Sequence, residues 1–233
     1  MNKVAFVMSL WKRQKLFSNI IDDLNKQTYK NFDLFCWNNN ADPEAIELVE
    51  VQKNNTNGYK LITTPPPHYI TNLRGFSRFI FCRKILLEEV PEIEGIKYDK
   101  AIFADDDQRF EPQFVEYMVQ NFEPKSYKSS WGWKINTNYW DRTKALTGED
   151  ADYAGTCGAI IDISIFNNTD FFDSYNYEED VYCLEDLALS LYCKKIGWKV
   201  EGITRKYIHS NPPDGYDHYL MTNIINGVPI STR

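Results

Sequence analysis

Short apolar runs alternate with amphipathic stretches along this chain, and that alternation constrains the fold more than any single residue does. Residues 4–10 read as a buried strand, and residues 12–24 follow with Leu16, Ile20, Ile21 and Leu24 at helical spacing. Residues 33–37 form a second strand ending in Asn38, Asn39 and Asn40, and Pro43 opens a second helix reaching Val51. A third strand, residues 59–63, is stopped by Pro65, Pro66 and Pro67. Residues 76–89 are expected to be helical, with Phe79, Ile80, Ile85 and Leu86 as the apolar face. A further strand then runs into Asp105, and Glu111-Pro112 opens another helix. Strands that alternate with helices predict an α/β fold with a mainly parallel central sheet and helices on both faces.

The second half is less regular. Residues 131–135 and 159–163 are strand candidates, and a polar, aromatic segment at 167–183 is expected to cover one edge of the sheet. Leu184, Leu187, Ala188 and Leu191 stand at i, i+3, i+4 and i+7, with Lys194 and Lys195 suited to the helix end and Gly197 to its stop. Residues 199–203 read as a last strand before a Pro- and Gly-rich tail. Neither a repeat nor a linker divides the 233 residues, which predicts one domain over 1–233.

A hydrophobic content of 43% supports a substantial core. The formal net charge of -7 argues against nonspecific nucleic-acid binding, though an anionic ligand in a local basic pocket stays compatible with it. Five cysteines without zinc or CxxC spacing read as buried free thiols in a reducing compartment. With no signal peptide and no membrane-spanning stretch visible, the sequence predicts a soluble cytoplasmic protein. A homo-oligomer is left open.

The chemistry concentrates at the end of the fourth strand. Ala101–Ala104 stops at Asp105, Asp106 and Asp107, three carboxylates that repel one another unless something neutralises them. Strand alternation would place Asp105 and Asp107 on one side, suited to a hard divalent cation, with Asp106 pointing away. A solvated acidic loop is the plainer reading. Ligands in open α/β sheets bind outside the carboxyl ends of the strands. There the sequence also places Ser9, Arg13, Asn38 to Asn40, and residues 72–78 with Arg74 and Arg78. Amides and hydroxyls suit a base or ribose, arginines suit phosphate and carboxylates suit a metal, so a nucleotide diphosphate with a divalent cation would satisfy all three. Arg74 is the better phosphate candidate; Arg78 and Arg83 read first as solvated helix residues and second as ligand contacts.

Glu185 and Asp186 open the helix that begins near residue 184. The helix dipole alone favours acids there, while a general base for a substrate hydroxyl would use the same placement. Glu178, Glu179 and Asp180 compete for that role. His209 could complete a metal shell begun by carboxylates, whereas His68 and His218 receive no role.

These residues resemble the opening and the ordered motifs of family 2-type GT-A glycosyltransferases, members of the nucleotide-diphospho-sugar transferase superfamily. Ser9 to Arg13, Gln27 to Asp33 and the strand into Asn40 are similar to its first half. Asn72 to Arg83 is similar to its glycine- and arginine-bearing loop and helix, and Asp105 to Asp107 matches its Asp-x-Asp motif. Tyr153 to Gly158 resembles its acceptor loop, and Glu185 to Gly197 its Glu-Asp helix. Asn38 stands where an acid is common, and Tyr192 where arginine is common.

The resemblance implies a GT-A, Rossmann-like fold with a nucleotide-binding half at 1–110 and an acceptor-binding half at 111–233. It also implies transfer from a nucleotide diphosphate sugar, with UDP as the expected nucleotide, to a glycan, glycolipid or protein acceptor. Asp105 and Asp106 would lie near ribose and phosphates, and Asp107, with Asp105 and His209 as further candidates, would bind Mn²⁺ or Mg²⁺. Asp186, with Glu185 beside it, would be the base in an inverting hexosyl transfer. A sugar-phosphate nucleotidyltransferase and a GT-A-like domain that binds without turnover are the competing readings. The first lacks the expected glycine in Ser9–Gln14.

Overall fold

Alternate residues of β1 (Lys3–Leu10) are buried in two different clusters, Ala5 and Val7 on one side, Val4, Phe6, Met8 and Leu10 on the other. A strand apolar on both faces needs a covering layer on each. The computed structural model supplies both, describing residues 2–40, 42–63, 73–174 and 184–210 and the backbone of 224–225 and 228–229. In chain order, β1 leads to α1 (Phe17–Asn25), β2 (Phe32–Asn38), α2 (Pro43–Glu50), β3 (Leu61–Thr63), α3 (Ser77–Leu86) and β4 (Tyr98–Ala104). Then follow β5 (Gln108–Phe110), α4 (Phe114–Gln120), β6 (Ser126–Ser129), β7 (Gly132–Asn138), β8 (Asp141–Lys144), β9 (Tyr153–Ala154) and β10 (Ala159–Asp162). The described chain continues with α5 (Thr169–Ser174), α6 (Glu185–Lys195), β11 (Lys199–Gly202) and β12 (Ile208–Ser210).

The central sheet has seven strands in the order β11-β6-β10-β4-β1-β2-β3. Every pairing is parallel except those of β10, which runs antiparallel to β4 and β6. One face is covered by α1 and α4 through Phe17, Ile20, Ile21, Leu24, Phe114 and Met118. The other is covered by α3, α5 and α6, where Phe79 stacks on Phe166 at 5.5 Å and tilts against Phe103 at 5.5 Å. The one buried carboxylate inside β2, Asp33, is satisfied by Lys3 Nζ (2.9 Å), Tyr98 Oη (2.7 Å) and the Lys60 amide (2.8 Å). Local signals fix α2: Pro43 stands in its first turn, and Asp42 caps it by accepting from the Glu44 amide.

Four expectations are corrected. The buried side of α6 is Glu185, Leu189, Tyr192 and Cys193, while Leu191 is 56% exposed. Apolar residues occur nearly all round that helix, so spacing alone cannot choose the face. In α3 the buried residues are Phe79, Phe81, Cys82 and Ile85, with Ile80 and Leu86 only partly covered. Short β5, β6, β8, β9 and β12 were not legible, since two to four residues carry no period. Finally, β4 stops at Ala104 and a turn holds Asp106 and Asp107, so strand alternation does not extend over the carboxylates.

Cys36, Cys82 and Cys193 are buried free thiols, and Cys157 is free and partly exposed. Residues 65–67, Asn72, Glu178 to Asp180, Cys183, His68 and His218 lie outside the described residues, as does most of the expected covering segment at 175–183. No described helix is long and apolar enough to cross a membrane.

Candidate functional site

The chain leaves β1 for β2 and β3 on one side, then returns through β4 to the other side of β1. This reversal opens a crevice at the carboxyl ends of β1 and β4, the place where open α/β sheets bind ligands. Residues from four segments close around it. Lys12, at φ 60°, donates its amide to Asn40 Oδ1 (2.8 Å), and Asn40 in turn donates to Asn38 Oδ1 through Nδ2 (2.7 Å). Asn39 Nδ2 reaches the Arg74 carbonyl (3.4 Å), tying the end of β2 to the turn that precedes α3. Ser77 donates its hydroxyl proton to that carbonyl (2.6 Å), so in the 2.6 Å contact between the two hydroxyls Ser9 is the donor. Ser9, Asn38 and Arg74 thus frame one rim of the crevice.

The three carboxylates diverge. Asp106 is 7% exposed and turns toward the loop after β1, accepting from the Trp11 amide (2.9 Å) and pairing with Arg13. Burial pushes its pKa up to about 6 against the opposing pull of Arg13. Asp105 turns the opposite way, with one oxygen on Arg78 (2.5 Å) and the other accepting from the Cys157 thiol. Burial would raise Asp105, but the Arg78 charge, the hydrogen bonds from Cys157 and Arg78 and the Arg13 charge together outweigh it and hold the group below the ordinary carboxylate range. Its amide is capped by buried Gln108 Oε1 (2.9 Å) at the start of β5. Asp107 is partly exposed and its charge adds to those that keep Cys157 protonated, after burial and Asp105.

Arg78 departs from the expectation of a phosphate contact. It is 4% exposed, and its guanidinium donates to the carbonyls of Gly75 and Ala104, to Asp105 and to Glu185 Oε1 (3.2 Å). Arg83 lies over the Phe172 ring at 4.5 Å.

The start of α6 is brought to the crevice by Ser190. Its hydroxyl donates to the Asp186 carbonyl (2.7 Å) and accepts from the Ala154 amide (2.9 Å), fixing the helix against β9. Glu185 is thereby turned inward to Arg78. Asp186 faces the loop after β9: a Cβ added at Gly155 would lie 3.5 Å from Asp186 Oδ2 and 3.2 Å from Trp131 Cβ. Burial, then the neighbouring Glu185 charge, pushes Asp186 up to about 8. Glu185 is also raised, again by burial first. The Asp186 side chain still accepts from the Leu187 amide (2.7 Å). Trp131 stands beside it, edge-on to Trp133 at 6.0 Å and covered by Arg205 at 4.8 Å. Gly158, at φ +74°, lets the loop turn under Ser130 and Phe103 and present Cys157 to Asp105.

His209 sits opposite Arg109 in the β12–β5 ladder, and its Nε2 lies 2.6 Å from Glu111 Oε1. Its partner is therefore Glu111 and not the 105–107 cluster. Among the described residues, no three His, Cys, Asp or Glu side chains are grouped to hold a metal ion. Gln108 and Ser190 had no role assigned from the sequence, because each acts through a neighbour supplied by another segment, whereas Trp131 to Trp133 and Gly155 to Gly158 were expected to shape the donor pocket. The loop around Gly155 and Gly158 was the one signal that could have singled out Cys157.

No family model and no curated protein matches the chain. Solved structures do. Staphylococcus aureus TarS superposes with a TM-score of 0.58 at 12% identity over 90% of this chain and 36% of that one. Its 1–349 fragment in complex with UDP-GlcNAc gives 0.59 at 11% identity, over 92% of this chain and 60% of that one. The same fragment with UDP gives 0.55 at 12%, over 90% and 60%. The chain thus spans between about a third and three fifths of the structures it matches. At these identities the likeness concerns the fold alone, a Rossmann-like α/β arrangement with a mostly parallel central sheet.

Proposed function

We propose that the chain is a nucleotide-sugar-dependent glycosyltransferase that uses a UDP-sugar and moves a hexosyl group to an acceptor hydroxyl with inversion. The observation that carries this reading is the placement of Asp186. A carboxyl held near neutral pKa stands at the rim of the crevice opposite the β1–β4 switch point, as a general base requires. The matching fold, and its occurrence in a TarS fragment bound to UDP-GlcNAc, supports the choice of donor.

The nucleotide half would be residues 1–110 and the acceptor half 111–233. Ser9, Arg13, Asn38, Arg74 and Asp106 would face the nucleotide, with Arg13 exchanging its contact with Asp106 for the diphosphate. A divalent cation fits as one carried in on the diphosphate, because Mg²⁺ is commonly held by one or two carboxylates plus substrate phosphates. Asp107 is the residue that would hold it, with His209 joining only after leaving Glu111. Asp105 fits such a role less well, its two oxygens being engaged by Arg78 and Cys157. When bound, the cation would offset charge on the departing diphosphate.

Asp186 takes the proton of the acceptor hydroxyl as that oxygen bonds to the anomeric carbon, and the bond to the diphosphate breaks with its electron pair. No enzyme nucleophile is needed for inversion, since the transition state is oxocarbenium-like. Gly155 keeps the approach to Asp186 open, and Trp131 offers an apolar wall beside it.

UDP should raise the melting temperature by several degrees with Mn²⁺ or Mg²⁺ present, and a panel of UDP-sugars should release UDP in the presence of a glycan acceptor. No shift with UDP in either metal, together with no UDP release, would remove the reading. Pyrophosphate release from a nucleoside triphosphate and a sugar phosphate would replace it with nucleotidyl transfer.

A further inference from the structure

Arg78 makes four hydrogen bonds beneath the crevice, and it points into the protein. Three segments far apart in sequence meet on its guanidinium. Nε donates to the Gly75 carbonyl (3.2 Å), Nη1 to the Ala104 carbonyl (3.1 Å) and Asp105 (2.5 Å), and Nη2 to Glu185 (3.2 Å). They are the turn into α3, the end of β4 and the start of α6. Glycine at 75 is what lets the third one in: a Cβ there would lie 1.7 Å from Glu185 Oε1. One cation thus sits between two carboxylates from opposite sides of the crevice. Only a planar fork can serve acceptors arranged around it in this way, whereas a lysine ammonium is a compact point charge.

We propose that Arg78 is a positioning residue that locks Asp105, in the turn that carries the proposed cation ligand Asp107, and the Glu185-Asp186 pair into one rigid unit, setting the distance between the donor's leaving group and the acceptor base. The inference rests on the assignment of Asp186 proposed above. It also reassigns Arg78 away from the diphosphate: at 4% exposure, reaching a phosphate would mean abandoning both Asp105 and the buried Glu185. Removing the clamp lets the acid pair drift while leaving the nucleotide rim of Ser9, Asn38 and Asp106 intact. The cost should then fall on turnover and spare donor binding.

The test compares Arg78→Gln and Arg78→Lys with the parent, measuring UDP binding by calorimetry and turnover by UDP release. The expected result is a UDP Kd within about threefold of the parent and a kcat lowered about 50-fold in Arg78→Gln, partly restored in Arg78→Lys. A Kd weakened tenfold or more with kcat kept would make Arg78 a diphosphate contact, and unchanged values of both would leave it no positioning role. Should Arg78→Gln fail to fold, Glu185→Gln breaks the same unit from the other side and should give the same split. A parent that turns over no UDP-sugar would overturn the proposed function instead. The clamp is then read from thermal midpoints: Arg78→Lys and Glu185→Gln should be strongly non-additive, and additive losses would overturn it.

Discussion

Asp186→Asn tests the half-buried acid at the crevice and should make the protein more stable while abolishing transfer. An ordinary aspartate titrates near 3.9 in an unfolded chain, whereas Asp186 is pushed up to about 8 in the fold, first by burial and then by Glu185. A folded pKa above the unfolded one means that stability is complete below about pH 4 and is lost as pH rises toward 8. Roughly four units at 1.36 kcal/mol each set an upper limit of about 5–6 kcal/mol for that loss. Asp186 is partly exposed to the crevice, and solvent screens its charge. A realised loss of about 1–2 kcal/mol follows. Asparagine cannot ionise, yet its Oδ1 can still accept from the Leu187 amide. The variant should therefore melt about 3–6 °C higher than the parent at pH 8.5, with the gain shrinking steadily toward pH 5. Scanning calorimetry across that range measures it, alongside loss of transfer with UDP binding kept. A difference that is flat with pH, or a variant less stable at pH 8.5, would show that Asp186 carries no burial penalty and refute the reasoning.

Two further outcomes concern the fold that carries the site. Phe79 is fully buried among Phe76, Phe103, Phe166 and Phe171, so Phe79→Ala should cost about 3–5 kcal/mol, read as a lower denaturant midpoint with unchanged slope. Gly202→Ala would place a Cβ 2.3 Å from the Ala145 carbonyl oxygen. Because backbone cannot yield as a side-chain end can, the variant should lose about 2–3 kcal/mol or express insolubly, checked by thermal melting of the soluble fraction.

The first half of the chain was legible because its strands and helices are long and their boundaries carry chemistry. β1, β2 and β4 are runs of buried residues, α1 keeps Ile20, Ile21 and Leu24 at helical spacing, and Pro43 with Asp42 marks the start of α2. Local pattern was enough to predict a mainly parallel sheet covered on both faces. It also directed attention to strand ends, where Asn38 closes β2 and Asp105 follows β4.

Tertiary structure decided what those residues do to one another. Arg78 reads as an exposed helix arginine until β4 and α6 bring Asp105 and Glu185 to it. Asp105 and Asp106 are neighbours in sequence, yet one is held low by Arg78 and the other raised by burial beside Arg13. The buried face of α6 was set by what it packs against, because apolar residues surround it. The acid at position 186 owes its raised pKa to a desolvating loop from residues 153–158 and to a partner turned inward by Gly75. Charge and burial are sums over neighbours in space, and the sequence orders its neighbours only along the chain.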